Sequence, residues 1–536
     1  MDQAVTAGVI MSADAAVSLP NEWKPSVNPW LIAISIMLAT IMEVLDTSVA
    51  NVSLPYIAGN LSASTDEATW VLTSYLVSNA IILPATNWLG QLFGRKRFLI
   101  SCIILFTLAS AVCGLAGSLG FLIMARVLQG AAGGALQPIS QAVLMESFPP
   151  QKRGMAMAVF TMGVVVAPIL GPTIGGWLTY NYSWRWVFYI NLPIGILAAV
   201  LTHAFLEDPP YLKRVSAANI DYIGLGLLGL WLASLQIMLD KGQELDWFSS
   251  KMIVWCAVIS TAGFIGFIVR ELLTPFPIVD LRVLKNRNFR VGVVMILLVG
   301  ALLYATTAIL PLFMQNLLNY TALAAGVAIT PRGIGALAAT IVVGRIAGHV
   351  SNRFLMSASA LLMAYSCFML GDINLQIAPG NLLWPIIISG VSAAAIFVPL
   401  TTSALGTLSQ EQMGNATGIF NLMRNVGGSI GIAMITTLVT RNAQTSQAAL
   451  AWHMSKFNSN FQQQFAHLQT TLASNTGNWA ATKKSLAVLY GILQQQSSLL
   501  SYVYGFRFCV LVCLVCAALA FCFKKVGKPT GPVAAH

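Results

Sequence analysis

Apolar residues in this chain come in runs of about 20, separated by short polar stretches. A run of that length forms an α-helix that crosses a bilayer, whereas a membrane β-strand needs about ten residues and alternates in polarity. A helix also satisfies its backbone hydrogen bonds within one segment, as lipid requires. We therefore predict about fourteen transmembrane helices. Their predicted limits are 29–53, 68–92, 97–117, 119–147, 153–179, 184–206, 218–240, 251–273, 289–315, 322–348, 354–371, 382–408, 415–440 and 500–523.

The composition excludes a protein whose whole surface faces water. The 536 residues are 57% hydrophobic and 9% charged, whereas soluble domains carry about 25% charged residues. So few charged side chains cannot cover a surface of this size in water, and lipid must surround much of the chain. We predict an all-α polytopic membrane protein with a polar N-terminal tail at 1–28.

The net charge of +11 would suit nucleic acid, but the distribution of the charge favours a membrane orientation. Basic residues lie in every second predicted loop, and the loops 55–68, 116–119, 316–321 and 372–381 contain none. Positively charged loops stay in the cytoplasm, so we expect both termini there and no nucleic-acid partner. The basic residues in or beside those loops are Arg95, Lys96, Arg97, Lys152, Arg153, Lys213, Arg214, Arg282, Lys285, Arg287, Arg290, Arg353, Lys524, Lys525 and Lys528.

One large polar segment, 442–498, interrupts the apolar pattern on the predicted external side. Apolar residues recur within it at helical spacing, which predicts a hairpin of two amphipathic helices. Two interpretations remain open: the helices pack only on each other, or their apolar faces bind a partner protein. The residues that would dock a partner are Phe457, Phe461, Phe465, Leu468 and Leu472, and the second helix carries Leu486, Leu489 and Leu493.

Three charged residues inside the apolar spans are the main functional candidates, because charge in lipid is costly. Glu43 and Asp46 share one face of the first span at i, i+3 spacing, and Arg126 lies in the antiparallel fourth span at a similar depth to Asp46. A buried carboxylate whose cation comes and goes can carry a proton. The alternative for Asp46 is a static ion pair. Glu43 has no obvious cation partner, which favours a coupling role.

Further candidates lie in the fifth, tenth and thirteenth spans. Arg332 and Arg424 are possible internal charges. The stretch from Gly171 to Leu178 combines small residues with Pro172, so this part of the fifth span can bend and press closely on a neighbour.

Several kinds of enzyme site are missing from the sequence. There is no G-x-x-x-x-G-K-[ST] loop for ATP and no H-E-x-x-H or clustered metal-ligand set. The eight cysteines fall within apolar runs, where packing is the simplest explanation. We expect no catalytic residue, no bound metal and no cofactor other than a proton gradient.

Five stretches taken together resemble the major facilitator superfamily, in its fourteen-span drug:proton antiporter branch, and most closely the EmrB-type multidrug exporters. They are Leu45 to Pro55, Leu122 to Gly130, Gly171 to Leu178, Trp184 to Gly195, and Asn421 to Gly431. The third of these matches the antiporter motif of the family, and the five occur in the order expected for the family.

The resemblance implies two six-helix bundles with two extra helices between them. The implied domains are 29–206, 207–288 for the extra helices and linkers, 289–523 with the periplasmic hairpin 442–498, and a cytoplasmic tail at 524–536. It also implies proton coupling by Asp46 and Arg126, to which the argument from buried charge adds Glu43. Conformational coupling is implied for Gly171, Pro172, Gly175, Gly176, Gln91 and Arg95.

The function implied is proton-coupled export of hydrophobic or amphipathic drugs across the bacterial inner membrane. Exporters of this type often assemble with a periplasmic adaptor (EmrA-like) and an outer-membrane channel (TolC-like), which we would place on 442–498. Two other functions remain open: proton-coupled transport of a specific metabolite on the same fold, and a non-transporting receptor. The glycine-rich fifth span opposes the first and the buried charges oppose the second.

One position departs from the family pattern. The loop after the second span normally carries an Asp, and here Gln91 takes its place, with Asn87 in place of the first glycine. A charge-based latch that depends on that Asp is therefore in doubt, and a hydrogen-bonded version remains open.

Overall fold

A computed structural model describes residues 25–149, 152–208, 221–275, 277–346, 350–377, 379–455, 457–476 and 478–524. Most of both predicted tails and part of the linker 207–221, with Lys213, Arg214, Lys525 and Lys528, lie outside these residues. The α-helices are α1 Pro29–Asn60, α2 Thr65–Ala68, α3 Trp70–Phe93, α4 Arg95–Gly114, α5 Leu119–Gly133, α6 Leu136–Ser147, α7 Arg153–Asn181, α8 Trp186–Tyr189, α9 Asn191–Phe205, α10 Tyr222–Lys241, α11 Lys251–Leu273, α12 Arg287–Leu317, α13 Ala322–Ile346, α14 Asn352–Leu370, α15 Pro379–Leu405, α16 Gln410–Ala451, α17 Ser459–Thr476 and α18 Asn478–Leu519.

The predicted all-α membrane fold is confirmed. Within the described ranges, 13 helical segments are long and apolar enough to cross a membrane. The 24-residue α3 is a further helix of spanning length, and its buried polar residues, among them Ser78 and Asn79, explain its lower hydropathy. Together these segments agree with the expected number of about fourteen.

The predicted fourth span is broken in the middle, between α5 and α6. Pro138 lies at the third residue of α6, so its ring would clash with the carbonyl of Gly134 if the helix continued. The break therefore falls at Gly134 and Ala135. It gives the side chains of α6 a different direction from those of α5.

The spans before α10 and those after α11 pack mainly among themselves. In the first group α1 contacts α7 and α9, and α5 contacts α3 and α4; in the second, α12 contacts α16, and α14 contacts α15 and α18. We call these groups the N-half and the C-half. They meet where α7 contacts α13 and where α16 contacts α3 and α6, while α10 contacts both α3 and α16.

The two ends of the bundle can be told apart by the chain termini. The amide of Asn288, at the start of α12, donates to the carbonyl of Lys524 at 3.3 Å, and the backbone N–H of Ser26 donates to Glu207 at 3.1 Å. We call this end, where α1 begins and α18 finishes, the terminal side. The opposite end, which carries α17, is the distal side.

The segment 442–498 contains two helices that pack on each other, but it is continuous with the spans on either side. Helix α16 continues to Ala451, and α18 begins at Asn478 and runs without interruption into the last span. Neither stretch contains a proline that would end the helix. The segment therefore consists of the distal ends of α16 and α18 with α17 between them.

Helix α17 accounts for most of the apolar spacing in that segment. Phe461, Phe465, Leu468 and Leu472 are half-buried on one face, and α17 packs on α18. Phe457, which we placed in the same helix, lies before Ser459 and its side chain is 99% exposed. The apolar face of α17 therefore agrees with the interpretation that the helices pack on each other. The exposed apolar side chains of this segment lie outside α17.

Candidate functional site

Asp46 of α1 and Arg126 of α5 form a fully buried ion pair inside the N-half. The Arg126 Nη1 lies 2.6 Å from the Asp46 Oδ2, and both side chains have no exposed surface. The Arg126 Nε donates to the carbonyl of Val71 at 3.1 Å, and the guanidinium lies 4.3 Å from the ring centre of Tyr75. These contacts fix the cation on α3 and leave the carboxylate as the group that can change.

Two amide side chains complete the surroundings of the Asp46 carboxylate. Its Oδ1 accepts from Gln129 Nε2 at 2.9 Å and from Asn191 Nδ2 at 2.7 Å. The same Asn191 nitrogen donates to Ser110 at 2.9 Å, and Gln129 also accepts from Arg126 at 2.8 Å. The carboxylate therefore belongs to a buried network of hydrogen bonds that joins α1, α5 and α9.

Glycines in the last turns of α5 and just after it explain how Arg126 reaches α3. A Cβ added to Gly134 would lie 2.5 Å from the Asn79 carbonyl, and one added to Gly130 would collide with the backbone of Tyr75 and the Ser78 hydroxyl. Only glycine allows α5 to lie this close to α3. The close approach puts the Arg126 side chain against Val71 and Tyr75.

Glu43 lies one turn from Asp46 on α1 and has amide partners instead of a cation. Its Oε1 accepts from Asn79 Nδ2 at 3.2 Å, and its Oε2 accepts from Gln137 Nε2 at 2.5 Å. The side chain is buried in the protein, away from lipid. The two amides can serve either the charged or the protonated carboxyl group, since a carboxyl oxygen accepts in both forms.

Gln137 connects Glu43 to the C-half. Its amide oxygen accepts from the Arg424 Nη2 of α16, while its amide nitrogen donates to Glu43. One turn further along α6, Gln141 accepts from Asn421 Nδ2 at 2.6 Å. The proposed internal cation Arg424 therefore lies at the interface between the halves, one residue away from an acidic group of the N-half.

Of the α7 residues assigned to conformational coupling, Gly171 and Gly175 face α1. A Cβ on Gly175 would lie 2.9 Å from the Val49 carbonyl, and one on Gly171 would collide with Ser48. Gly176 is different, because the nearest atom, of Val52, would be 4.0 Å away. Pro172 instead lies beside Gly326 of α13. The α7 stretch thus contacts the helix of Asp46 on one side and the C-half on the other.

The remaining sequence candidates lie away from this site. Arg95, the first residue of α4, pairs with Glu146 of α6 at 2.5 Å. A carboxylate from another helix thus pairs with this arginine, where the family pattern would place an Asp near Gln91. Gln91 is half-buried near the end of α3. Arg332 of α13 donates to the hydroxyls of Thr306 and Thr307 on α12 at 3.0 and 2.9 Å.

Sequence reasoning did not assign Gln129, Asn191, Asn79 and Gln137, although all four contact the acidic residues. Gln129 follows Arg126 at i+3, which puts both on one helix face, and Asn191 lies in one of the stretches that resemble the family. The signal that would have found the others is simple: an amide in an apolar span needs a buried partner. Among the described residues no group of acidic, Cys and His side chains could hold a metal ion.

Comparison with known proteins agrees with this architecture. Residues 36–432 match the Major Facilitator Superfamily. The chain is 39% identical over 441 residues to the multidrug export protein EmrB of Escherichia coli K12, covering 82% of this chain and 86% of that protein. It is 38% identical, with the same coverage, to the fatty acid resistance protein FarB of Neisseria gonorrhoeae.

Two solved structures share the fold at low sequence identity. The human organic anion transporter MFSD10 has a TM-score of 0.56 at 13% identity, covering 91% of this chain and 100% of that one. The proton:xylose symporter XylE has a TM-score of 0.52 at 14% identity, covering 88% and 94%. The chain belongs to the major facilitator superfamily and is a multi-pass membrane transporter whose relatives at 36–39% identity include EmrB multidrug exporters.

Proposed function

We propose that this transporter is a proton-driven antiporter that exports hydrophobic or amphipathic compounds from the cytoplasm. The observation that carries the proposal is the buried Asp46–Arg126 pair, which lies one helical turn from a second buried acid, Glu43. A receptor or scaffold gains little from two carboxylates at this depth, whereas a proton-coupled transporter needs them.

The coupling that we propose runs through α1. Protonation of Asp46 removes half of the ion pair, so Arg126 no longer has a counter-charge and the contacts of α1 change. Because Ser48 donates to the Pro168 carbonyl at 2.8 Å and Gly175 contacts Val49, any movement of α1 acts directly on α7. Helix α7 in turn contacts α13 of the C-half. Export then follows from the movement of one half against the other.

The charge of the loops supports placing the terminal side in the cytoplasm of a bacterium, with α17 in the periplasm. We also propose that the distal element binds an adaptor of a tripartite pump. Helices α16 and α18 each contain 42 residues, or about 63 Å, against about 30 Å for the hydrocarbon core. The exposed apolar side chains available there for docking include Trp452, Phe457, Tyr490 and Ile492.

Asp46→Asn tests the proposed function, because it keeps the shape of the side chain and removes its titration. In proteoliposomes with an imposed pH gradient, we expect gradient-driven transport of a labelled amphipathic substrate to be lost while exchange without a gradient remains. Arg126→Ala should fail in both assays, since it removes the cation together with its contacts to Val71, Gln129 and Tyr75.

Asp372→Asn provides the matched control, because Asp372 is an exposed carboxylate. It should transport at the wild-type rate. Gradient-driven transport by Asp46→Asn at the wild-type rate would contradict proton coupling at this residue. Accumulation of substrate on the terminal side would instead favour the uptake of a metabolite.

A further inference from the structure

Arg424 has more hydrogen-bonding capacity than the surrounding residues use. Its guanidinium is buried, and Nη2 donates to Gln137, but Nε and Nη1 have no hydrogen-bond partner among the described residues. The ring of Phe397 lies 6.0 Å away. A buried donor without an acceptor costs about 1–3 kcal/mol, and more when it is charged.

Arg424 also lacks a direct ion pair. Arg95, Arg126, Lys241 and Arg270 each form an ion pair with a carboxylate, whereas Arg424 forms none with a described residue. Glu43 is the nearest acid along the hydrogen bonds, and the amide of Gln137 separates the two. A guanidinium at membrane depth without a carboxylate is expected to meet its counter-ion at some stage of the transport cycle.

The position of Arg424 is fixed by close helix contacts. A Cβ on Gly300 of α12 would collide with the carbonyl of Arg424, and one on Gly427 would collide with the carbonyl of Leu297. These glycines hold α16 against α12 and present the guanidinium to α6 of the other half. Because Arg424 and Gln137 belong to different halves, a separation of the halves would break their contact.

Arg424 and Glu43 lie at the same depth on opposite halves. Each residue is 14 positions from the start of its helix on the terminal side, at Gln410 and Pro29, which corresponds to about 21 Å. A molecule that enters between the halves at this level meets a cation on one side and an acid on the other.

We propose that Arg424 binds the anionic head group of an amphipathic substrate, a carboxylate being the simplest case. The inference rests on the proposed export function and names its substrate class. A carboxylate oxygen is a charge-assisted acceptor and binds about twice as strongly as the neutral amide oxygen of Gln137. It therefore displaces the Gln137 oxygen as the acceptor of Nη2, and it accepts from a second N–H group of the guanidinium.

Displacement of Gln137 links the substrate to Glu43, the second buried acid of the N-half. The amide nitrogen of Gln137 donates to Glu43 at 2.5 Å, so loss of its oxygen contact with Arg424 frees the amide to turn and changes the hydrogen bonding of Glu43. Substrate at Arg424 and a proton at Glu43 thus act on one shared side chain. This arrangement lets one ligand influence the release of the other.

The test compares two probes with the same tail and opposite charge, dodecanoate and dodecyltrimethylammonium. Binding to the full chain in nanodiscs is measured by isothermal titration at pH 8 without a gradient, and empty nanodiscs correct for partition into lipid. We expect wild-type protein to bind dodecanoate at least about tenfold more tightly than the cation.

Three variants then locate the head-group site. Arg424→Gln should weaken dodecanoate binding about 10- to 100-fold and change binding of the cation less than about twofold. Arg424→Lys keeps the charge with fewer donors and should bind at an intermediate level. Gln137→Met removes the competing acceptor and should strengthen dodecanoate binding, a gain that misfolding cannot imitate.

Arg507→Gln is the matched control, because Arg507 is an exposed arginine of α18; it should leave both affinities unchanged. Equal affinity of wild-type protein for the two probes would overturn the proposal, as would an equal loss of both in Arg424→Gln. Because binding needs no proton gradient, failure of gradient-driven export would refute the proposed function and still leave the role of Arg424 to be decided by these affinities.

Discussion

At the scale of single residues, the site is defined by what surrounds Asp46 and Glu43. Asp46 has a cation and two amides, whereas Glu43 has two amides and reaches a cation only through Gln137. The two acids therefore differ in the balance of charge around them. This difference in surroundings favours different roles for the two acids, which are neighbours on one helix face.

Asn191→Leu isolates the contribution of one amide to the Asp46 site. The side chains are similar in size, but leucine leaves Oδ1 with Gln129 as its amide donor and removes the contact with Ser110. A hydrogen bond to a charged group contributes about 1.5–3 kcal/mol, so we expect gradient-driven transport to fall about tenfold or more. Initial rates in proteoliposomes measure this.

Asn60→Leu is the corresponding change at an exposed asparagine at the end of α1, and its rate should stay at the wild-type value. The thermal unfolding midpoint of each purified variant shows whether a loss of rate reflects misfolding. A wild-type rate in a correctly folded Asn191→Leu protein would mean that this amide is dispensable.

At the scale of elements, the contact between α1 and α7 depends on a single face of α7. Gly171 and Gly175 are one turn apart and lie against Ser48 and Val49, while the neighbouring Gly176 has space around it. The sequence motif alone does not distinguish these glycines. Only the packing of the helices shows which of them faces α1.

Gly175→Ala and Gly176→Ala make the same chemical change at adjacent positions of α7. Both add the same helix propensity, about 1 kcal/mol, so a difference between them reports on packing. The new methyl group at 175 would lie 2.9 Å from the Val49 carbonyl and must push the helices apart, whereas the one at 176 has its nearest neighbour at 4.0 Å. We expect transport to fall sharply in Gly175→Ala alone, measured as gradient-driven efflux of the labelled amphipathic substrate. Equal rates in the two variants would show that close contact of α1 and α7 is not required.

The sequence predicted the existence of the helices better than it predicted where they end and which side chains contact each other. Long apolar runs identify spans, because lipid demands them, and charge in a span marks Glu43, Asp46 and Arg126. The ends of α16 and α18 were missed, since a polar helix outside the membrane continues a span without any change in backbone hydrogen bonding. Gln137 was missed because its importance depends on Arg424, 287 residues away in sequence.

At the scale of the whole molecule, the two halves touch at both ends of the bundle. On the distal side Gly326 lies beside Pro172 and Thr173, and on the terminal side Gly414 lies beside Asn87. Glu43 and Arg424 are enclosed between these contacts. If the halves move against each other to export a substrate, the contact on the terminal side must open to admit it.

A disulfide between Asn87→Cys and Gly414→Cys would hold the terminal side closed. A Cβ at position 414 lies 3.5 Å from that of Asn87, within the range of about 3.5–4.5 Å that a disulfide needs. We expect oxidation to stop gradient-driven efflux and reduction with dithiothreitol to restore it, in a background where the half-buried Cys256 and the exposed Cys522 are serine. Each single cysteine variant should be insensitive to the oxidant. Efflux by the cross-linked protein at the rate of the reduced protein would mean that export does not require α3 and α16 to separate, and that the substrate enters between the halves by another route.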